Sequence, residues 1–438
     1  MLINDALNAW GSLANFRHKR ERQKNYTFGR QWEDRIVADG VEMTERELIL
    51  REGQTPLQNN LIRRIVRNVL GVFRKRLREK IERWNDDYTD LTARNQLYEK
   101  FSRSMEEFLI SGVAVFKCGC TGEREVRCEP VNPFYFFYNQ DTLDAGGGDF
   151  TLAGEIHSLS LEDYCKAFVR TREEYKEAHR MFRENGGGRR KVVEVWRKEM
   201  RERRMIWNTD EGVLLIMDEH RWRCESRLHG YASRWNMEEV WRYYFLNEEG
   251  EVIREGDSPY PHKGHPYVFR AYSFLDGEIN SFVSDIIDQQ RYTNRLITLY
   301  DWYIHSSAKG VLLMPEGSVD ADKMEYVADQ WSRMNGVIVY KPQNDGTEPH
   351  QIMGGTQNIA ITDLLNIQLK MLEDVSGVNG ALQGNLATNS MSGTLYSQQT
   401  ENSIMALADI LDSFCAFVSD VMEKASQLFD SSFVKDAK

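Results

Sequence analysis

From residue 375 to residue 400 the chain carries no Asp, Glu, Lys or Arg, although 28% of its 438 residues are charged. The enzyme signatures that short patterns reveal are missing as well. No G-x-x-x-x-G-K-[ST] phosphate loop occurs, no G-x-S-x-G elbow, no H-E-x-x-H pair and no paired C-x-x-C. Cysteine is scarce and scattered, at Cys118, Cys120, Cys128, Cys165, Cys224 and Cys415, which fits a reducing compartment better than a disulfide framework. Residues 1–20 lack a basic start followed by an apolar core, so no secretory signal is expected. The longest apolar runs, 213–217 and 311–314, fall far short of the roughly 20 residues that cross a bilayer. These absences point to a soluble, non-catalytic protein assembled inside a cell, with no cofactor and no membrane contact.

The charge that is present is mainly negative. The net charge is −11 and the isoelectric point about 5.5. Generic affinity for duplex nucleic acid needs Lys and Arg to neutralise phosphates, so an acidic chain does not grip DNA, though it can surround it. Length suggests two to four domains, and 41% hydrophobic residues suffice for real cores.

The longest regular signal lies in the last third. Residues 278–308 contain neither Gly nor Pro, enough for one helix of about 45 Å at about 1.5 Å per residue. Ile279, Val283, Ile286, Thr293, Ile297, Tyr300 and Ile304 recur at steps of three and four, which predicts one apolar stripe able to pack on other copies. A compact excursion at 309–355 follows, read as a strand at 311–314, a helix at 320–334 capped by Asp320 and ended by Asn335-Gly336, and a strand at 337–340. A return helix spans 356–375. Residues 376–393 read SGVNGALQGNLATNSMSG, a long uncharged loop whose Gly and Asn permit unusual backbone angles.

The first two thirds read differently. Residues 1–30 are expected to be helical, 59–83 to be an amphipathic helix with one basic face, 86–90 to break it and 91–111 to resume it. Short β-rich runs at 113–117, 125–128, 135–138, 192–196, 213–217, 240–246 and 267–271 predict antiparallel strands, with a helix at 161–184. The basic face reads first as a solvated surface pairing with acidic neighbours and second as a nucleic-acid contact. Cys118, Cys120, Cys128 and His157 lack metal-knuckle spacing and read as ordinary residues of strands, and His262 and His265 as turn residues. The fold class that follows is helix-rich α+β.

Several motifs in this order resemble the portal proteins of tailed bacteriophages. They are Gly29-Arg-Gln-Trp32, Asn59-Asn-Leu-Ile62 followed by Gly71, Gly112-Val-Ala-Val-Phe116, Val131-Asn-Pro-Phe134, Gly250-Glu-Val-Ile253, Ser258-Pro-Tyr-Pro261, His265-Pro-Tyr267, Gln289-Gln290 with Asn294-Arg295, and Ser392-Gly393-Thr394 with Gln398-Gln399. The resemblance implies a portal-type fold: a mixed α+β wing at 1–272 and 394–438, stem helices at 273–308 and 356–375, a small α/β clip at 309–355 and a tunnel loop at 376–393. Only a few residues follow Phe429, so the crown of larger members is expected to be short or absent. The same resemblance implies a homo-oligomeric ring, usually a dodecamer, at one capsid vertex of a virion assembled in the host bacterial cytoplasm. Its partners would be double-stranded DNA, the large terminase subunit, the major capsid protein and adaptor or head-completion proteins. Asn379, Gln383, Asn385 and Asn389 of the loop, with Lys370 as the one base on the return helix, would face DNA. Asp320, Lys323, Tyr326, Trp331 and Arg333 of the clip would dock partners. The competing reading of the residues is a non-catalytic DNA-binding scaffold or nuclease accessory protein resting on the basic helix.

Overall fold

The computed structural model describes residues 2–84, 86–120, 125–184, 188–208, 212–307, 311–315, 319–332, 338–340, 349–352, 358–380, 382 and 393–434. Helix makes up 51% and sheet 25%, and every described strand pair is antiparallel, as an α+β chain requires. The chain forms two compact units, residues 1–24, 66–284 and 385–438 in the first, 25–65 and 285–384 in the second.

In the first unit a three-stranded sheet, ordered Tyr267–Ala271, Val113–Cys120, Val126–Pro130, carries cores on both faces. On one face Phe116 stacks on Phe101 at 5.2 Å between ring centroids and meets Phe417 edge-on at 5.6 Å. Phe73, Phe108 and Phe414 extend that cluster, and all six rings are fully buried. Phe73 comes from the Leu61–Ile81 helix; the helices that deliver Phe101, Phe108, Phe414 and Phe417, Leu97–Ser111 and Ala408–Val434, bury residues at three- and four-residue steps, among them Leu411, Phe414, Val418, Val421, Met422, Ala425 and Leu428. On the other face Val113, Val115, Phe136, Tyr138, Phe150 and Phe269 form a second aromatic core. Gly112 ends the Leu97–Ser111 helix at φ 78°, donating its N–H to Phe108 O at 2.8 Å. A Cβ there would lie 2.8 Å from Asn280 O, so only glycine fits.

A larger sheet in the same unit runs Val252–Asp257, Ala232–Leu246, Arg190–Asn208, Leu152–Leu159, Phe136–Tyr138, with Val213–Asp218 paired to the far half of Arg190–Asn208. All seven expected strands are present, several of them longer than expected. The Leu152–Leu159 strand was not expected, because LAGEIHSL contains Gly154 and shows no clean alternation. Two helix expectations are corrected. Residues 86–90 do not break a helix: the Leu61–Ile81 helix already ends in a turn at residues 82–84, Asp86–Asn95 is helical, and a second break falls at Gln96, which is left-handed at φ 53°. The Asn95 side chain bonds Val126 O at 3.0 Å and Cys128 N at 3.1 Å, capping strand groups instead of continuing the helix. The helix expected over 161–184 is two helices, Leu161–Phe168 and Arg172–Glu184. A capping box divides them. Thr171 Oγ1 accepts from Glu174 N at 3.2 Å while the Glu174 carboxylate accepts from Thr171 N at 3.1 Å.

In the second unit the Arg35–Ala38 and Val41–Thr44 strands form a hairpin that runs into the Glu45–Arg51 helix, started by a Thr44/Glu47 capping box. The long helix is continuous from Phe282 to Ser307; residues 278 and 279 belong instead to the small Phe274–Leu275/Glu278–Ile279 hairpin of the first unit. In the excursion, the Val311–Leu313 strand pairs with His350–Ile352. Residues 338–340 are not a strand, which corrects the expected 337–340 pairing; residue 337 lies outside the described residues. The expected 320–334 helix is a 3-10 turn, Ala321–Lys323, followed by Met324–Ser332, while Asn335-Gly336 lies outside the described residues. The return helix runs Asn358–Ser376, and the last helical segment is Gly393–Ala406 followed by Ala408–Val434, interrupted at Leu407.

Candidate nucleic-acid interface

The second unit is organised by a polar seam along the long helix. Gln290, Asn294 and Thr298 stand four residues apart, so they lie one above another on one face. Each meets the backbone of the extended segment before the Leu61–Ile81 helix. Thr298 Oγ1 accepts from Leu57 N at 3.2 Å, and Asn294 Oδ1 accepts from Asn59 N at 3.1 Å. Gln290 Oε1 accepts from Leu61 N at 2.9 Å and from Ile62 N at 3.2 Å, while its Nε2 donates to Asn59 O at 2.7 Å. The first N–H groups of a helix have no internal partner, and Gln290 supplies two of them. Asn60 is the N-cap proper, its Oδ1 accepting from Arg63 N at 3.1 Å. Beside this seam Glu45, buried at 2% exposure, pairs with Arg291 and with Arg295, the latter at 2.9 Å. The Asn59-Asn60 and Gln290/Asn294 motifs, far apart in sequence, therefore touch.

The surfaces left open are informative. On the return helix Gln368, Leu372 and Ser376 are buried, four residues apart. Lys370 is exposed and lies half a turn from Gln368 and Leu372, on the opposite side. Between those faces runs an apolar stripe, Leu364, Ile367, Met371 and Val375, exposed at 44, 55, 46 and 47%. The long helix has its own: Tyr292, Leu299 and Trp302, exposed at 46, 43 and 45%, with seven- and three-residue spacing. Of the stripe expected on that helix, Val283, Ile286 and Thr293 are buried, Ile297 and Tyr300 half-buried, and Ile304 exposed.

The return helix ends at Gly377, φ 66°, the left-handed conformation of a helix C-terminus. Val378 behind it is fully buried, and Asn379 Oδ1 accepts from Leu382 N at 3.1 Å. The start of the uncharged segment is thus held by its own turn. Gln383, Asn385 and Asn389 lie outside the described residues, as does Arg333. Among the other residues expected to dock partners, Lys323 Nζ sits 3.4 Å from Asp320 Oδ2, Tyr326 is exposed and Trp331 half-buried.

The basic face of the Leu61–Ile81 helix is largely engaged within the chain. In the first unit Arg74 pairs with Glu99 at 3.3 Å and Arg76 with Asp412 at 3.4 Å, and Lys80 Nζ donates to Ser419 Oγ at 2.8 Å. These pairs favour the solvated-face reading over the DNA-contact one.

Sequence reasoning missed one charged cluster in the first unit. Glu194 is buried; its Oε2 lies 2.5 Å from Lys117 Nζ and 2.8 Å from His157 Nε2, and its Oε1 accepts from Trp196 Nε1 at 2.8 Å. Burial pushes the Glu194 pKa up, but Lys117 and His157 outweigh it and hold the carboxyl well below its ordinary range. Burial pushes neighbouring Glu155 up. Glu155, His157 and Glu194 are spaced as three cation ligands would be, yet the Lys117 ammonium already occupies the shared oxygen. His262 and His265 are also more than turn residues: His265 Nδ1 accepts from Tyr267 N at 3.2 Å, and burial holds both imidazoles below their usual pKa.

No helix among the described residues is long and apolar enough to cross a membrane. No curated protein matches the chain. A family profile described as Phage P22-like portal protein matches residues 6–431, almost the whole chain. The chain therefore belongs to the phage P22-like portal proteins, structural virion components of the bacteriophage capsid vertex associated with DNA packaging.

Proposed function

We propose that copies of this chain assemble into a ring, a dodecamer in keeping with the family, that encloses the channel for double-stranded DNA during packaging and ejection. The supporting observation is the pair of exposed apolar stripes, Leu364/Ile367/Met371/Val375 and Tyr292/Leu299/Trp302, on two long helices of a single chain. Contiguous apolar surface at helical spacing favours burial against another copy. In this reading 273–308 and 356–375 are the stem, 309–355 the clip, 376–393 the tunnel loop, and the remainder the wing. The neutral polar side chains Asn379, Gln383, Asn385 and Asn389 meet the phosphate backbone without holding it, because neutral groups release no counterions, and Lys370, the one base on the return helix, faces the tunnel. The clip, through Asp320, Lys323, Tyr326, Trp331 and Arg333, docks the large terminase subunit and later the adaptor or head-completion proteins, while the wing meets the major capsid protein. ATP chemistry comes from the terminase.

Ile367→Asp tests the interface. Burying one such side chain contributes about 2 kcal/mol, so each pairwise contact weakens roughly thirtyfold. An exposed substitution leaves the subunit fold within about 0.5 kcal/mol. The expected result is native-like circular dichroism with rings lost from negative-stain images and from sedimentation. Rings that persist at wild-type yield would remove this helix from the interface. Bulky replacements of Gly380 and Gly384 test the loop separately, since unchanged packaging and DNA retention would rule out its role.

A further inference from the structure

Cys118 and Cys128 face each other across the seam between the Val113–Cys120 and Val126–Pro130 strands. Neither uses its backbone groups across that seam. Cys118 N donates the other way, to Pro266 O at 2.9 Å. Cys128 N donates to Asn95 Oδ1 at 3.1 Å, and Cys128 O accepts from Lys100 Nζ at 2.9 Å. The two residues are therefore a non-hydrogen-bonded antiparallel pair, the register in which opposed Cα atoms approach most closely, about 4.5 Å. That distance lies inside the range of about 4.4–6.8 Å spanned by disulfides. Both side chains are fully buried. Two ammonium groups flank them: Lys100, whose charge acts on Cys128, and Lys424, which donates to Tyr267 O at 2.7 Å and whose charge interacts with Cys118. Cys120, two residues along and on the same face, is exposed.

We propose that Cys118 and Cys128 are a modification site, a cross-strand dithiol that closes to a disulfide when the protein leaves a reducing compartment and meets a low-molecular-weight disulfide. One thiolate attacks a sulfur of the oxidant R–S–S–R, breaking that bond and releasing R–S⁻. The second thiolate attacks the protein sulfur of the mixed disulfide and releases another R–S⁻. The two thiol protons pass to the leaving thiolates, so the protein loses two hydrogens and the oxidant becomes two R–SH. Contact with the Cys118 sulfur and burial push the Cys128 thiol pKa up, and the Lys100 ammonium offsets only part of that, so the attack requires mildly alkaline pH and a wetted sulfur. The first attack requires the edge strand Val126–Pro130 to open locally, because both thiols are buried, whereas the second requires no rearrangement, because the register already brings the sulfurs together. The site is independent of whether the chain lines a channel, since it concerns one hairpin of one subunit.

The test uses the full chain, purified reduced and incubated with oxidised glutathione at mildly alkaline pH, then unfolded, alkylated and weighed. Wild-type protein and Cys120→Ser are compared, because Cys118 and Cys120 fall in one tryptic peptide. The expected result is loss of two alkylatable thiols in both proteins, a mass lower by about two hydrogens, and a peptide linking residue 118 to residue 128 that dithiothreitol releases. Glutathione adducts alone, a full set of alkylatable thiols, or a link that disappears in Cys120→Ser would each overturn the proposal.

Discussion

Replacing Gln290 by Ala removes a clamp whose parts can be counted. Its Oε1 receives Leu61 N and Ile62 N, and its Nε2 reaches Asn59 O and, at 2.9 Å, Asn294 Oδ1. Ile62 is fully buried, so its N–H is left without a partner away from solvent, whereas Leu61 N keeps Asn59 O at 2.9 Å and Asn294 Oδ1 keeps Asn59 N at 3.1 Å. An orphaned buried polar group costs about 1–3 kcal/mol. Only the Ile62 N–H is orphaned, the other three groups each keeping one partner, so the net cost is about 1–3 kcal/mol. Hydrogen exchange read by mass spectrometry over residues 57–65 is the assay, because it reports this unit apart from the first. A loss of about 2 kcal/mol accelerates exchange at Leu61 and Ile62 by about thirtyfold. Gln290→Glu separates the clamp's two halves. It keeps both acceptor bonds at a helix N-terminus, where a carboxylate is favoured, but gives up the donor to Asn59 O. It should fall between wild type and Gln290→Ala. Exchange in Gln290→Ala within about threefold of wild type would show that the seam does not hold the Leu61–Ile81 helix in place.

Lys117→Met leaves Glu194 buried without its ammonium and should destabilise the first unit by about 3–5 kcal/mol, with much of the loss recovered in Lys117→Met/Glu194→Gln. Guanidinium unfolding measures both, and a Lys117→Met protein as stable as wild type would disprove the pairing. Burial depresses the pKa of His262 to about 4 and that of His265 well below its ordinary value. A base depressed on folding binds fewer protons folded than unfolded, so its contribution is complete above about pH 6.5 and is lost as pH falls toward about 4. The Tm should therefore drop between about pH 7.5 and pH 5, less steeply in His265→Gln; an equal slope in both proteins would exclude His265 as a source.

The elements that were legible in the sequence are those whose signal is local. Residues 282–307 and 358–376 announce themselves by apolar spacing and the lack of breakers, and the seven expected strands by β-branched and aromatic runs. The helix break at Thr171 was legible too, as the capping pattern T-x-x-E, and was passed over in favour of one amphipathic stretch. The break at Gln96 was not legible, because it depends on Asn95 turning to serve a strand that begins some thirty residues on. The strand at His350–Ile352, which pairs with Val311–Leu313, was not legible for the same kind of reason. Residues 337–340 and 350–352 are both short and plausible strands, and only packing chooses between them.

Periodicity, net charge and the uncharged stretch at 375–400 depend on neighbours along the chain, so the amino-acid order alone determined the long helices, the acidic surface and the α+β class. Contacts between distant residues decided the rest. Gln290 meets Asn59 across 231 positions, and Lys117 meets Glu194 across 77. Which polar groups are buried, and so need a partner, is set only once the chain has folded, because desolvation belongs to an environment and not to a residue type.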